Sequence, residues 1–260
     1  MLAISQSGTT YHYLNWIPSE RGPLVTQHGS IQKEVENPDH IDQYYYDVLD
    51  EIFSKVNNGD PICTFSLDRN HVLFSTCFAE DNDPALIDWH LTQALDEKLN
   101  EVVDYYHYPM VEESGKMLNI GVPKNIRQSF QSNMRLLKSK LNGISVGIFS
   151  AETGARQWMQ ADKHESYLIW KIGKKKMDEL LLIRNGEMVT YFSFHRRGKK
   201  GKMMWQFGDG FTANSIIQDI LNVQSEKSTK FSSAEQVFIY TSDGNIKDIK
   251  FFHQLNLKNL

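Results

Sequence analysis

Hydrophobic positions along this chain change period in the same order twice. The first fifty residues read as a strand over 2–10 ending in Ser5-Gln6-Ser7-Gly8-Thr9-Thr10, a strand over 11–17, a Pro/Gly turn, a strand over 24–31 and a helix from residue 38. From residue 165 the layout returns. Tyr167-Leu168-Ile169-Trp170-Lys171-Ile172-Gly173 is followed by a polar turn, a strand over 177–183, the tight turn Arg184-Asn185-Gly186-Glu187 and a strand over 188–194. After a basic loop, Gly208-Asp209-Gly210-Phe211-Thr212 opens a helix over 213–221. Two strand–hairpin–strand–helix units predict two related α/β lobes.

Between the copies the pattern continues to alternate. Ile41, Tyr44, Tyr45, Val48, Leu49, Ile52 and Phe53 fall at helical spacing, and Asn57-Asn58-Gly59-Asp60-Pro61 ends that helix. Strands are predicted over 61–67 and 72–79 with a turn at Asp68-Arg69-Asn70, then a helix from Pro84 capped by the acidic run before it. A short apolar strand over 117–122 is followed by an amphipathic helix over 124–141, a strand over 143–149 and a short helix over 151–159. The closing segment reads as a strand over 236–240 and a further element over 246–257.

Bulk properties narrow the class without choosing the chemistry. At 260 residues, 40% hydrophobic and 12% aromatic, the chain is expected to be globular with an ample core. A net charge of -4 gives no drive toward nucleic acid or an anionic membrane. Cys63 and Cys77 lie in apolar strand patterns without CxxC spacing, which predicts free thiols in a reducing compartment. No run approaches a membrane span and the N-terminus enters a strand directly, so the expectation is a soluble cytoplasmic protein. The nine histidines show no metal-ligand spacing, and no nucleophile elbow is present.

Three motifs carry a resemblance. Ser5-Gln6-Ser7-Gly8-Thr9-Thr10 stands where a family of two-lobe proteins opens with Asp-Ile-Gly-Ser-Ser-Ser. Lys171-Ile172-Gly173 stands where their second phosphate loop begins Asp-Ile-Gly, and Gly208-Asp209-Gly210-Phe211-Thr212 resembles their Gly-Gly-Asp-x-hydrophobic-Thr helix start. Asn119-Ile120-Gly121-Val122-Pro123-Lys124, a helix and Gly143-Ile144-Ser145-Val146 resemble their middle. The chain thus resembles the actin-like superfamily and, within it, the type IV pilus assembly proteins of the PilM kind. The cytoplasmic domain of the type II secretion protein GspL is similar in plan. The resemblance implies an α/β, actin-like (ribonuclease H-like) two-lobe fold: a first lobe over 1–160 with a subdomain inserted at about 69–142, and a second over 161–260, shorter than the family's.

Where the motifs depart from the family, they point away from catalysis. In nucleotide-hydrolysing members the two loop carboxylates orient magnesium and the attacking water. Ser5 and Lys171 replace them here, so the resemblance implies a pseudo-ATPase with no cofactor. Ser7-Gly8-Thr9-Thr10 can still lend N–H groups and hydroxyls to a phosphate, or be a plain hairpin turn, which the missing acid favours. Lys174-Lys175-Lys176 is an anion contact or a solvated hairpin tip, and the run from Arg196 to Lys202 a head-group contact or a mobile surface loop. Tyr105-Tyr106-His107-Tyr108-Pro109 reads as core or as the lining of a peptide groove.

The expected function is that of a non-catalytic scaffold in a type IV pilus or secretion-type envelope assembly. The resemblance implies an inner-membrane partner whose short cytoplasmic tail is held by the inserted subdomain, with the membrane touched only through that partner and no nucleic acid bound. The strand over 117–122 is expected at a sheet edge, with Phe74, Leu118 and Ile120 lining the groove. The alternative is an actin-fold enzyme using ATP and magnesium, with Asp178 and Asp209 as substitute acids.

Overall fold

The structure is a computed structural model and describes residues 1–20, 22–34, 41–56, 61–78, 86, 89, 102–109, 116–159, 161–162, 164–173, 177–197, 200–208, 234, 236–241 and 258–259. In chain order these form β1 (Leu2–Ser7), β2 (Thr10–Ser19), β3 (Gly22–Gln32), α1 (Ile41–Lys55), β4 (Ile62–Leu67), a 3₁₀ turn (Arg69–His71) and β5 (Leu73–Phe78). Then come β6 (Val102–Pro109), β7 (Lys116–Pro123), α2 (Lys124–Leu136), β8 (Lys140–Val146) and α3 (Gly147–Trp158). The remainder is strand: β9 (Ser166–Ile172), β10 (Met177–Arg184), β11 (Glu187–Arg197), β12 (Lys200–Phe207), β13 (Gln236–Thr241) and β14 (Lys258–Asn259). Two compact units result, one of Met1–Ser75, Leu91–Tyr106 and Asn119–Ser150, the other of Thr76–His90, His107–Leu118 and Ala151–Leu260.

The first unit is organised on a five-stranded sheet of order β3-β2-β1-β4-β8. β1–β2 and β2–β3 are antiparallel, while β1–β4 and β4–β8 are parallel. Helix α1 buries Tyr44, Tyr45, Val48, Leu49 and Ile52, the positions its i, i+3, i+4 spacing predicts. Helix α2 brings Phe130 against them, its ring centroid 4.4 Å from Tyr45 and 4.2 Å from Phe65 of β4. Asn133 Nδ2 donates to the Asp42 carbonyl at 2.9 Å, fixing one helix against the start of the other.

Boundaries here differ from the sequence expectation for a reason visible in the pairing. The amphipathic pattern of α2 runs on to residue 141, but the helix ends at Leu136, Lys138 turns to φ +52° and Ser139 N donates to the Met134 carbonyl at 2.8 Å. Parallel registry with β4, from Ile62–Lys140 to Leu67–Val146, claims the following residues as strand. α3 therefore starts at Gly147 rather than residue 151, and the buried Ile148 and Phe149 belong to its first turn.

Between β4 and α2 a separate three-stranded sheet runs in the order β5-β7-β6. This corrects one expectation: β7 is the central strand, not an edge. Its second neighbour, β6, contains the aromatic run at 105–109, where no strand alternation is visible in the residues themselves.

The second unit repeats the first sheet's order. β11-β10-β9-β13-β14 matches β3-β2-β1-β4-β8 strand for strand, with the same antiparallel and parallel pairings, and β12 is added beyond β11. Asn185 at φ +52° and Gly186 at φ +79° form the tight turn joining β10 to β11, as an Asn-Gly pair does in a twisted hairpin. β9 is buried along nearly its whole length, the continuous apolar run of a strand covered on both faces. Leu168, Trp170, Leu180, Leu182, Phe192 and Val237 lie in its core. The basic run expected as a mobile loop is a hairpin: β11 continues to Arg197 and returns as β12, with Arg197 opposite Lys200. The helices expected at residues 84 and 213, Lys174-Lys175-Lys176 and the segment 246–257 lie outside the described residues, apart from Leu86 and Trp89, which are helical.

Candidate functional site

The β1–β2 turn is the first candidate. Ser5 is half-buried on β1, opposite His12 of β2 and Ser66 of β4; Ser7 and Thr10 are buried, and Gly8 and Thr9 form the exposed tip. Gly8 sits at φ +59°, in the left-handed region that favours glycine. Its N–H donates to Asp68 Oδ2 at 3.1 Å, while Asp68 Oδ1 accepts from Asn70 N at 3.1 Å. Asp68 thus caps the 3₁₀ turn with one oxygen and binds the Gly8 amide with the other.

Behind the turn the polar groups form a directed chain. Gln6 Nε2 donates to Tyr11 Oη at 2.9 Å, Tyr11 Oη is 2.7 Å from Tyr44 Oη, and Tyr44 Oη donates to the Lys33 carbonyl at 3.1 Å. Burial pushes the Tyr11 hydroxyl well above the ordinary phenol range, and the bond to Tyr44 adds to it. Gln6 Nε2 also lies 3.1 Å from His71 Nε2. Donation from the amide nitrogen to this imidazole nitrogen requires the neutral ring. Burial lowers the His71 pKa, with the Asp68 carboxylate acting in the opposite sense.

The β9–β10 turn is the second candidate. Lys171 is buried on β9, its Nζ 2.8 Å from Glu179 Oε1, directly across the hairpin on β10. Glu179 Oε2 accepts from Tyr191 Oη at 2.6 Å. Asp178 is fully buried, with Oδ2 accepting from Trp170 Nε1 at 3.0 Å and Oδ1 from Gly173 N at 3.3 Å. Gly173 is required by contact, since a Cβ there would lie 1.8 Å from the Met177 carbonyl oxygen. Chemically, this turn presents a neutralised cation and a carboxylate bonded on both oxygens.

Gly208 is the third motif position within the described residues; Asp209 and Gly210 are not. At φ +89° it packs on β11, where a Cβ would lie 2.2 Å from the Val189 carbonyl oxygen, and its own carbonyl accepts from Gln206 Nε2 at 3.2 Å. Of the three groove residues, Leu118 and Ile120 are wholly buried on β7, and Phe74 is half-buried on β5. No group of three His, Cys, Asp or Glu side chains among the described residues is placed to hold a metal ion. Also among the described residues, no helix is long and apolar enough to cross a membrane.

Sequence reading missed Gln6, Asp68, His71 and Glu179 as participants. Asp68 is 60 residues from the glycine it caps, and only the parallel β1–β4 pairing unites them. Glu179 was within reach: a turn centred on residue 175, between the predicted strands ending at Gly173 and starting at Met177, places residue 179 opposite 171.

No family model matches this chain, and no curated protein resembles it in sequence. Solved structures do share its architecture. A chain of the PilM–PilN type IV pilus biogenesis complex superposes with a TM-score of 0.62 at 12% identity, over 100% of this chain and 87% of that one. The cytoplasmic domain of EpsL, an inner membrane component of the type II secretion system of Vibrio cholerae, matches over 92% and 80% at 9% identity and a TM-score of 0.49. A Bacteroides thetaiotaomicron protein of actin-like ATPase fold matches over 99% and 90% at 8% identity and a TM-score of 0.44. What the chain of the pilus complex shares at 12% identity is the fold. The twice-repeated sheet order and the match to the pilus protein give the chain the actin-like α/β fold that its motifs implied.

Proposed function

We propose that this protein is a non-hydrolysing scaffold of a type IV pilus or secretion-type envelope assembly. It sits in the cytoplasm at the inner membrane, held there by the cytoplasmic tail of an inner-membrane partner. Residues 1–160 and 161–260 are its two lobes, and the segment at about 69–142, inserted in the first, receives the tail.

The observation that carries the reading is the state of Lys171. Where the hydrolysing relatives it resembles place a carboxylate, this chain has a buried ammonium group 2.8 Å from Glu179. Such a pair neither ligates a cation nor activates a water, because the carboxylate is already neutralised and hydrogen-bonded on both oxygens. Asp178, the nearest substitute acid, is buried and bonded to Trp170 and Gly173. The envelope assignment is supported by the likeness to the chain of the pilus biogenesis complex, a protein found together with a second component.

Titration of the wild-type protein with a fluorescent ATP analogue and magnesium tests the first half. No saturable binding is expected up to about 1 mM, the upper end of ordinary substrate affinities. Magnesium-dependent turnover above background overturns it in favour of an ATP-binding or phosphotransfer enzyme with rearranged acids. Affinity capture from the native host tests the second half: envelope-assembly components are expected, and their absence removes the partner assignment.

A further inference from the structure

The β1–β2 turn has the form of an anion cradle, and it is already filled. Gly8 is exposed at φ +59°, and a Cβ built on it would meet nothing within 4 Å, so the space before the turn is open. An amide at such a turn attracts a negatively charged oxygen, and phosphate is the usual occupant. Here the oxygen is Asp68 Oδ2 at 3.1 Å. The carboxylate is fixed in place, because its other oxygen caps the following 3₁₀ turn through Asn70 N. In the second unit the glycine after the first strand also meets a carboxylate, there from the antiparallel hairpin partner: Asp178 Oδ1 of β10 accepts from Gly173 N at 3.3 Å.

We propose that Asp68 is a resident surrogate for a phosphate oxygen: it fills the β1–β2 cradle, holds the turn in shape without any nucleotide and closes it to inorganic phosphate and phosphorylated ligands. A tethered carboxylate acts at an effective concentration that a free anion must exceed before it can compete. Its charge also repels a second anion at the same amide. Asp68 is itself buried, but the Gly8 it binds is exposed, whereas Asp178 is fully buried; the Asp68 cradle is therefore the one that substitution can open to solvent. The proposal rests on the scaffold reading above and names a residue that keeps the fold independent of nucleotide.

The test follows the Gly8 amide in ¹⁵N–¹H spectra of the full chain, titrated with inorganic phosphate at constant ionic strength. In the wild type the signal stays in place through about 10 mM phosphate, because a carboxylate held by its bond to Asn70 N is preorganised and acts well above the millimolar effective concentration of a short flexible tether. In Asp68→Ala it moves saturably, together with its immediate neighbours. Asp68→Asn keeps the shape but loses the charge, which covers failure of the alanine variant to fold; there phosphate competes more weakly and the shift is smaller but still saturable. A wild-type Gly8 signal that shifts as far as the variants' overturns the proposal, as does a folded variant whose signal never moves. Failure of the scaffold reading looks different: the wild type would bind magnesium-ATP while its Gly8 amide stayed unresponsive to phosphate.

Discussion

Lys171 Nζ lies 2.8 Å from Glu179 Oε1 across the β9–β10 hairpin, and the second oxygen of that carboxylate accepts from Tyr191 Oη at 2.6 Å. Removing either charge alone strands the other in the core, a loss of about 3–5 kcal/mol. Lys171→Met and Glu179→Gln are each expected to lower the urea midpoint accordingly, and the double variant to recover most of the loss. Introducing an acid as Lys171→Asp sets two buried carboxylates face to face. It destabilises the fold unless Glu179→Gln accompanies it, and chemical denaturation of the two variants side by side checks this.

Gly173 and Gly143 make a matched pair for the turn. A Cβ at Gly173 meets backbone oxygen at 1.8 Å, an overlap no rotamer can relieve, whereas at Gly143 nothing lies within 4 Å. Gly173→Ala is expected to cost about 3 kcal/mol or more, in the class of backbone-incompatible substitutions, and Gly143→Ala to stay within about 1 kcal/mol of wild type. Thermal melts of the two variants decide it; equal melting temperatures would contradict the close approach of the Met177 carbonyl to Gly173.

Alkaline pH should unfold the protein from its first unit. Burial pushes the Cys63 thiol from 9.0 up to about 12, and burial likewise raises Tyr11, Tyr44 and Tyr45. Each folded pKa lies above its unfolded value, so the stabilisation is fully present below the unfolded pKa and is lost as pH rises through the folded one. Stability is therefore expected to hold from pH 7 to about 9 and to fall continuously from there toward pH 12. Urea midpoints across that range measure it. In a Cys77→Ser background, Cys63 should react with a thiol reagent at pH 8 only after denaturant is added.

The groove residues separate by burial. Leu118 is fully buried on the central strand of its sheet, and Leu118→Asp leaves an unpaired charge in the core, so no folded protein is expected. Phe74 is half-buried on β5, an edge strand of that sheet among the described residues. Phe74→Asp is expected to fold with a loss of about 2 kcal/mol and to capture fewer partners from host lysate. Full capture by a folded Phe74→Asp protein would place the partner site elsewhere.

What the sequence disclosed and what it hid follow from the range of the interactions. The strand–hairpin–strand plan at both ends was legible because period-two patterning and an Asn-Gly turn are local signals, as at Arg184 to Glu187. β6 was not, because Tyr105 to Tyr108 are polar-tipped aromatics with no alternation to read. β12 was hidden by the charges at its tip, which mimic a solvated loop while the backbone pairs as a ribbon. The bond from Gly8 to Asp68 depends on the parallel registry of β1 with β4, which no local pattern encodes.

The two sheets share one order of five strands but have been enlarged at different junctions. In the first, the extra material is spliced into the β4-to-β8 connection, which must leave the sheet anyway because a parallel pair cannot be joined by a tight hairpin. In the second, it extends the outermost strand outward as β12, adding a rung to a free border without displacing an existing one. Both routes leave the β1 and β9 axes and their neighbours undisturbed. A half of this kind can therefore carry additional surface while the pairing of its central strands stays the same.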